Sequence, residues 1–243
     1  YSVAHPQTRA VDPTVAGRWS ALPAAEPDST LRAHFSADLL LGRYGVLTKG
    51  SVASENLPGG FATLYKVLSG FEDAGQCQRG YFVESLGGAQ FATAGTVDRL
   101  RSYADTVDDD HRDAFAVVLA ATDPANPYGA ALPWPARTGD ADTAHRPGRK
   151  AGALVAIVDG ELAWFLERGG RSLLSFTGDG QTLNAAAAAL ADLVTDRRVD
   201  GLLVERINGA SVLDPAAPAD HAAVAAALTA AGFSRTPRGL RLR

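Results

Sequence analysis

The chain of 243 residues has no methionine, one cysteine and only three lysines, which are Lys49, Lys66 and Lys150. Because it opens at Tyr1 rather than at a methionine, we expect it to be a fragment of a longer protein. Cys77 has no partner for an internal disulfide, which fits a reducing, cytoplasmic compartment. We expect its thiol to fill a small apolar space.

Long apolar runs are also missing. No stretch of about 18 apolar residues and no signal-peptide pattern occurs, so the sequence predicts neither a membrane span nor export. No Gly-rich GxxxxGK[ST] loop is present, and the DDDH string at 108–111 is therefore interpreted as a solvated acidic turn rather than a helicase acid box. The histidines are isolated from one another and from Cys77, so we predict no metal site. They are His5, His34, His111, His145 and His221.

Charge of either sign is scarce overall, and the net charge of −4 argues against a free-standing nucleic-acid binder. The distribution is more informative than the sum. Residues 105–147 hold eight acids and three arginines, whereas residues 228–243 hold four arginines and no acid. The negative charge of an acidic linker and the positive charge of a basic tail therefore nearly cancel in the sum.

The first third of the chain divides into a connector and a predicted winged helix. Residues 1–28 carry four prolines without apolar periodicity and are typical of a connector, on which Trp19 would anchor against a neighbouring surface. From Ser29, a plausible N-cap, a helix is predicted up to Gly45, with apolar residues at near-helical spacing, which are Leu31, Phe35, Leu39 and Leu41 or Gly42.

After Gly45 come a short extended stub, a brief helix capped by Thr48 or Ser51 that runs through Leu57, and a third helix starting near Phe61 and closing at Gly75. That third helix carries Phe61, Leu64, Leu68 and Phe71 on one face. Two extended segments, at 76–83 and 89–92, form a hairpin. Three helices, a stub and a hairpin predict a winged helix over 29–92, and a further helix at about 96–103 completes a module ending at 104.

The remainder predicts a second module. Residues 105–150 hold the acidic linker, a strand at 115–121 and a long loop with Tyr128 and Trp134, and loops of this length are usually functional or partly disordered. Residues 151–243 alternate strands and helices, with Asp159-Gly160 as a hairpin turn. We predict strands at 154–158, 162–166, 172–176 and 202–207, helices at 183–194 and 221–230, and a terminal hairpin at 233–242. The fold class is α+β, a winged helix followed by a mixed, barrel-like module.

Several blocks of the sequence, in the same order, resemble the C-terminal region of helicases of the Lhr (large helicase-related) family. They are GRWS at 17–20, LLLGRYGVLTKGSVASE at 39–55, GGFATLYKVLSGFEDAG at 59–75, RGYFVESLGGAQFA at 79–92, TVDRLR at 96–101 and PRGLR at 237–241.

The resemblance implies a long parent protein whose ATP- and Mg-dependent motor moves 3′ to 5′ on single-stranded DNA, unwinds RNA:DNA hybrids and acts in DNA repair. It implies that the motor lies outside this chain. It also implies a C-terminal domain of winged helices and a β-barrel module that assembles as a homo-oligomer, possibly a tetramer. That domain is similar to winged-helix DNA glycosylases, which excise damaged bases.

A winged helix places its third helix in the major groove and its wing on the backbone. The third helix exposes few groups suited to base readout, so DNA contact competes with a packing or assembly role. Tyr65 and Tyr81 could stack on bases or complete the core, and the terminal arginines could bind phosphate or lie at a solvated strand end or subunit contact. The candidate nucleic-acid-binding residues are Lys66, Thr63, Arg79, Gln78, Arg238 and Arg241.

Base excision is the enzymatic alternative, because it needs a carboxylate or carboxamide beside a flipped nucleotide. The candidates sit at strand ends, where carboxylates are also common as plain surface groups. They are Asp159, Glu161, Glu167, Glu205 and Gln90. A nucleic-acid-binding accessory module, an oligomerisation scaffold and a base-removing enzyme therefore remain open.

Overall fold

The computed structural model describes residues 20–104, 114–136 and 146–243. The expectations for Trp19, for the connector before residue 20 and for the acidic turn at 105–113 fall outside these residues. The predicted module boundaries stay predictions. Within the described ranges, no helix is both long and apolar enough to cross a membrane.

The N-terminal part is the predicted winged helix. Its strands form a small antiparallel sheet in which β3 lies between β1 and β2, and the long β2–β3 loop is the wing. The elements are α1 (Ser29–Tyr44), β1 (Val46–Leu47), α2 (Lys49–Ser54), α3 (Gly60–Asp73), β2 (Gln78–Gly80), β3 (Gln90–Ala92) and α4 (Ala94–Ala104).

Local capping explains where these helices begin and end. Asp28, rather than Ser29, caps α1, since its side chain accepts from the amides of Thr30 and Leu31. Gly45, at φ 69°, ends α1 in a conformation that favours glycine. Thr48 caps α2 in a reciprocal capping box with Ser51. The short α2 ends at Ser54 instead of reaching Leu57.

The core of the winged helix lies between α1 and α3. Leu64, Leu68 and Phe71 are buried as predicted, and Phe61 is half-buried against the same cluster. The opposite wall comes from a face of α1 that shares only Leu41 with the apolar pattern predicted from the sequence. Its buried residues are Ala33, Ala37, Leu40 and Leu41, whereas Leu31, Phe35 and Leu39 are 44%, 63% and 59% exposed.

The C-terminal part is built on two sheets and two helices. A six-stranded sheet has the order β10-β9-β7-β6-β5-β4, and a three-stranded sheet has the order β11-β12-β8. The elements are β4 (Ala116–Ala120), β5 (Leu154–Val158), β6 (Glu161–Leu166), β7 (Ser172–Ser175), α5 (Gly180–Thr195), β8 (Leu202–Val204), β9 (Arg206–Ile207), β10 (Ala210–Ser211), α6 (Ala219–Ala230), β11 (Ser234–Thr236) and β12 (Gly239–Leu242).

The α+β class is confirmed, but the expected barrel-like closure is not, because both sheets are open. The strand predicted at 202–207 is interrupted at Glu205. Residues before the break pair with β12, and residues after it pair in parallel with β7. The two parts of this predicted strand therefore belong to two different sheets.

Both faces of the six-stranded sheet are covered. On one face, Trp164 and Leu173 pack under α5 and α6. On the other, Phe165 and Leu174 pack against a cluster that includes Tyr128 from the loop after β4. Every residue of β6 after Glu161 is buried as a result, as is typical of a strand covered on both faces.

Candidate nucleic-acid interface

The predicted recognition helix α3 offers little to a base edge. Thr63 is exposed, but its hydroxyl donates to the carbonyl of Gly59 at 3.2 Å and so closes the first turn of the helix. Lys66 is exposed, and within the described ranges no ion pair engages it. The helix therefore presents one available cation, suited to phosphate rather than to base readout.

The arginine at the base of the wing is engaged in an ion pair. Arg79 on β2 donates to the hydroxyl of Tyr65 at 2.6 Å and pairs with Glu72 at 3.2 Å. Gln78 on the same strand is exposed. Tyr65 is half-buried against the core, as its core interpretation predicts, whereas Tyr81 is 62% exposed. The hydroxyl of Tyr81 accepts a hydrogen bond from the amide of Ser85 at 2.9 Å.

Gln90 holds the wing together. Its buried carboxamide accepts from the amides of Phe82 and Val83 at 3.1 and 2.8 Å, and donates to the carbonyls of Val83 and Gly87, both at 2.7 Å. With oxygen and nitrogen both engaged, this side chain has no capacity left to orient a water molecule. The structure therefore gives Gln90 a structural role in place of the suggested catalytic one.

Two sequence-distant arginines meet on one carboxylate at the break between β8 and β9. Glu205 Oε1 lies 3.0 Å from Arg238 Nη2 and 3.9 Å from Arg171 Nε. The break brings them together, since the amides of Glu205 and Arg206 both donate to the carbonyl of Arg171. We call these three side chains the Glu205 cluster. Its net charge is positive, and Arg171 and Arg238 are 63% and 64% exposed.

The other predicted cation of the basic tail lies close by in the same small sheet. Arg241 is exposed on β12, where it is paired with Leu203 of β8 and Ser234 of β11. The tail predictions thus belong to one hairpin, with Arg238 in the β11–β12 turn and Arg241 on β12, whereas the predictions on α3 and β2 belong to the winged helix. The sequence does not predict a role for Arg171, because no local pattern indicates that it lies near Glu205, 34 residues further along the chain.

The proposed catalytic carboxylates are not gathered into one site. Asp159 and Glu161 lie at the β5–β6 turn, where Asp159 accepts from the amide of Phe115 at 3.2 Å. Glu167 follows the other end of β6. Glu205 is engaged by arginine. Among the described residues, no group of three or more histidine, cysteine or acidic side chains is arranged to hold a metal ion.

Comparison with known proteins assigns the family. Residues 26–112 match the family model "Large helicase-related protein, winged-helix domain". The whole chain is 73% identical to a protein of Mycolicibacterium smegmatis named "Lhr helicase/ probable uracil glycosylase", of which it covers 16%. The chain belongs to the Lhr family. An Escherichia coli protein named "Lhr helicase/uracil glycosylase" is 38% identical over 94% of the chain, which covers 14% of that relative.

The chain therefore spans about one sixth of the length of these Lhr relatives, and it corresponds to their C-terminal region. The family model covers α1 to α4, so the winged helix of this fold and the Lhr winged-helix domain coincide. Both relatives also align with most of the sequence beyond that model, and the Lhr relationship consequently extends to the two-sheet part that carries the Glu205 cluster.

Proposed function

We propose that this chain is an accessory region of an ATP-dependent 3′ to 5′ DNA helicase that acts in DNA repair, and that it contributes nucleic-acid contacts outside the motor. The name "helicase" of both relatives supports the parent activity. The presence of a winged helix, a fold that commonly binds DNA, supports the contact role. The nucleic acids are single-stranded DNA and RNA:DNA hybrid, which the motor would deliver.

The observation that carries this proposal is the Glu205 cluster. Two guanidinium groups with exposed side chains share a single carboxylate, so the cluster keeps a positive charge that can face phosphate. Guanidinium also matches phosphate geometry better than an ammonium does. Arg241 on β12 and Lys66 on α3 are further exposed cations, and each adds a separate contact. These groups position a backbone and do not read its sequence.

The experiment is a salt titration of affinity. The full chain is mixed with labelled single-stranded DNA, duplex DNA and RNA:DNA hybrid between 50 and 200 mM salt, and the slope of log affinity against log salt is measured. The double variant Arg171→Gln/Arg238→Gln is expected to flatten that slope by up to about two. The matched control is Arg99→Gln/Arg101→Gln on α4, two exposed arginines that should leave the slope unchanged. A slope near zero for the unsubstituted chain contradicts the proposal.

We also propose that the chain takes part in homo-oligomer assembly, through the exposed stripe Leu31, Phe35 and Leu39 on α1. Apolar residues at i, i+4 and i+8 form one face of a helix, and three large exposed side chains in a row are typical of an interaction surface. Light scattering at micromolar concentration tests it. Phe35→Asp should lower the molecular mass, and an unsubstituted chain that is strictly monomeric contradicts it.

Base removal is the second candidate, favoured by the words "uracil glycosylase" in the names of both relatives. Asp159 and Glu161 lie at the β5–β6 turn, whereas Glu167 follows the other end of β6 and Glu205 is engaged by arginine, so the four carboxylates do not form one site. Incubation of the chain with uracil-containing DNA, followed by alkaline cleavage, tests it. Nicked product supports the activity in this segment, and its absence excludes it there.

A further inference from the structure

Residues 121–134, the first part of the loop after β4, form a fixed platform. The carboxamide of Asn126, which is 1% exposed, donates to the carbonyl of Ala121 at 2.9 Å and accepts from the amide of Tyr128 at 3.0 Å. The guanidinium of Arg149 donates to four carbonyls, those of Thr122, Asp123, Asn126 and Tyr128. A loop that collects this many bonds is held in one shape, which is unusual for a connection without regular structure.

The platform ends at Trp134, whose indole packs against two other aromatic rings. Trp134 is half-buried, stacks on Tyr128 with ring centroids 6.5 Å apart, and meets Phe165 edge-on at 5.7 Å. Gly129 makes room for it, since a Cβ there would lie 2.5 Å from the indole nitrogen. The indole is therefore fixed in position by the sheet and the loop together.

The platform faces the winged helix across a cleft. The helix α2 approaches the loop so closely that a Cβ on Gly50 would lie 2.9 Å from the carbonyl oxygen of Ala131. Beside this contact opens a cleft of about 760 Å³, within the range of roughly 300 to 1,000 Å³ that small-molecule sites occupy. Its wall includes Lys49, Ala53, Leu86, Leu132, Pro133 and Trp134.

A polar recess adjoins the cleft. It has a volume of about 520 Å³, shares Gly129 and Ala130 with the cleft, and is lined by Arg43, Glu55 and Arg149 among others. Arg43 is paired with Glu55 at 2.6 Å. Arg149 is bonded to carbonyls, and no carboxylate among the described residues pairs with it or with Lys49. The two adjoining spaces therefore carry a net positive charge next to an apolar, aromatic wall.

We propose that this cleft binds one nucleotide of a single strand, with the base against Trp134 and the phosphate toward Lys49 and the Arg149 side of the recess. The proposal rests on the nucleic-acid contact role proposed above and assigns it a second site. An aromatic face recognises any unpaired base, and the positive charge selects a phosphate-bearing ligand over a neutral aromatic one. A paired base in a duplex keeps its faces inside the stack, so the cleft selects single strands.

The experiment compares affinities of the full chain for oligothymidylate and for duplex DNA. Trp134→Leu is expected to weaken single-strand binding by roughly 5- to 100-fold and to leave duplex binding unchanged, whereas Trp134→Phe keeps most of the affinity. Lys49→Gln should flatten the single-strand salt slope by about one, with Lys150→Gln, an exposed lysine outside the cleft, as the matched control.

A second measurement does not depend on how well Trp134→Leu folds. In the unsubstituted chain labelled with ¹⁵N-tryptophan, the indole signal assigned through Trp134→Phe should shift on adding oligothymidylate, and that of the fully buried Trp164 should not. An unmoved Trp134 signal at saturating oligonucleotide overturns the cleft proposal alone. If the unsubstituted chain binds neither single strand nor duplex, the nucleic-acid contact role fails with it.

Discussion

The hydroxyl of Tyr128 donates to the carbonyl of Gly160 at 2.9 Å and accepts from the amide of Leu162 at 3.1 Å. One side chain thus fastens the loop after β4 to the turn between β5 and β6, more than 30 residues further along the chain. Burial raises the pKa of this phenol above its ordinary value, so it remains a neutral donor across the physiological range.

Tyr128→Phe is therefore expected to lower the free energy of unfolding by about 1 to 3 kcal/mol, because it leaves two backbone groups without their partner. Denaturant unfolding measures the change. Tyr81→Phe is the matched control, since Tyr81 is 62% exposed and its loss of a hydroxyl should change stability by less than about 0.5 kcal/mol. Equal effects at the two positions would contradict the role of Tyr128 as a fastener.

Truncation of a leucine should lower the free energy of unfolding much more in the core of the winged helix than on the exposed face of α1. Leu68 on α3 is fully buried, so Leu68→Ala should cost about 2 to 5 kcal/mol. Leu39 on α1 is 59% exposed in the single chain, so Leu39→Ala should cost less than about 0.5 kcal/mol when unfolding is measured at a concentration too low for the assembly proposed through α1. Thermal or denaturant unfolding of both variants gives the comparison. A larger loss at Leu39 would show that the face assigned to solvent is the buried one.

The stability of the winged helix should depend on pH through Glu55. The hydroxyl of Tyr44 donates to Glu55 at 2.7 Å, and this bond, followed by that of Arg43, holds the pKa of the carboxyl below its ordinary value. A depressed folded-state pKa contributes stability at neutral pH. That contribution is lost as the pH falls below roughly 4.3 and through the folded pKa.

Tyr44→Phe should consequently be less stable than the unsubstituted chain at pH 7, and the difference should shrink as the pH falls below about 4. Unfolding free energies measured between pH 3 and pH 7 test the sign. A difference that stays constant or grows toward acid pH would show that Tyr44 acts through packing and not through the charge of Glu55.

Features set by a few neighbouring residues are the ones that the sequence predicts well. The end of α1 at Gly45, the start of α2 at Thr48 and the hairpin at Asp159-Gly160 follow from capping and turn chemistry within four residues. The apolar face of α3 is also predicted from the sequence, because large apolar side chains of this helix recur at helical spacing on one face. These features carry the winged-helix assignment.

Features set by tertiary contacts are the ones that it misses. On α1, Leu31, Phe35 and Leu39 are exposed while Ala33, Ala37, Leu40 and Leu41 pack against the core, and periodicity alone does not tell which stripe a partner helix covers. The break at Glu205 separates residues that pair with β12 in one sheet from residues that pair with β7 in the other. The loop platform depends on Arg149, whose partners lie more than 20 residues upstream.

The candidate site divides in the same way. The local excess of charge predicts the tail arginines Arg238 and Arg241, and both lie in the terminal hairpin because they are close neighbours in sequence. Their neutralising partner, Glu205, and the second guanidinium, Arg171, come from other parts of the chain. The contact role of all the predicted residues stays a prediction until binding is measured.

The most direct measurement is the affinity of Glu205→Gln for single-stranded DNA. Removing the shared carboxylate releases Arg238 and Arg171, so the affinity should rise by roughly three- to tenfold at 50 mM salt and the salt slope should steepen by about one. Glu161→Gln, an exposed glutamate at the β5–β6 turn, makes the same change in net charge and should have little effect. An affinity for Glu205→Gln that equals or falls below that of the unsubstituted chain would contradict the account.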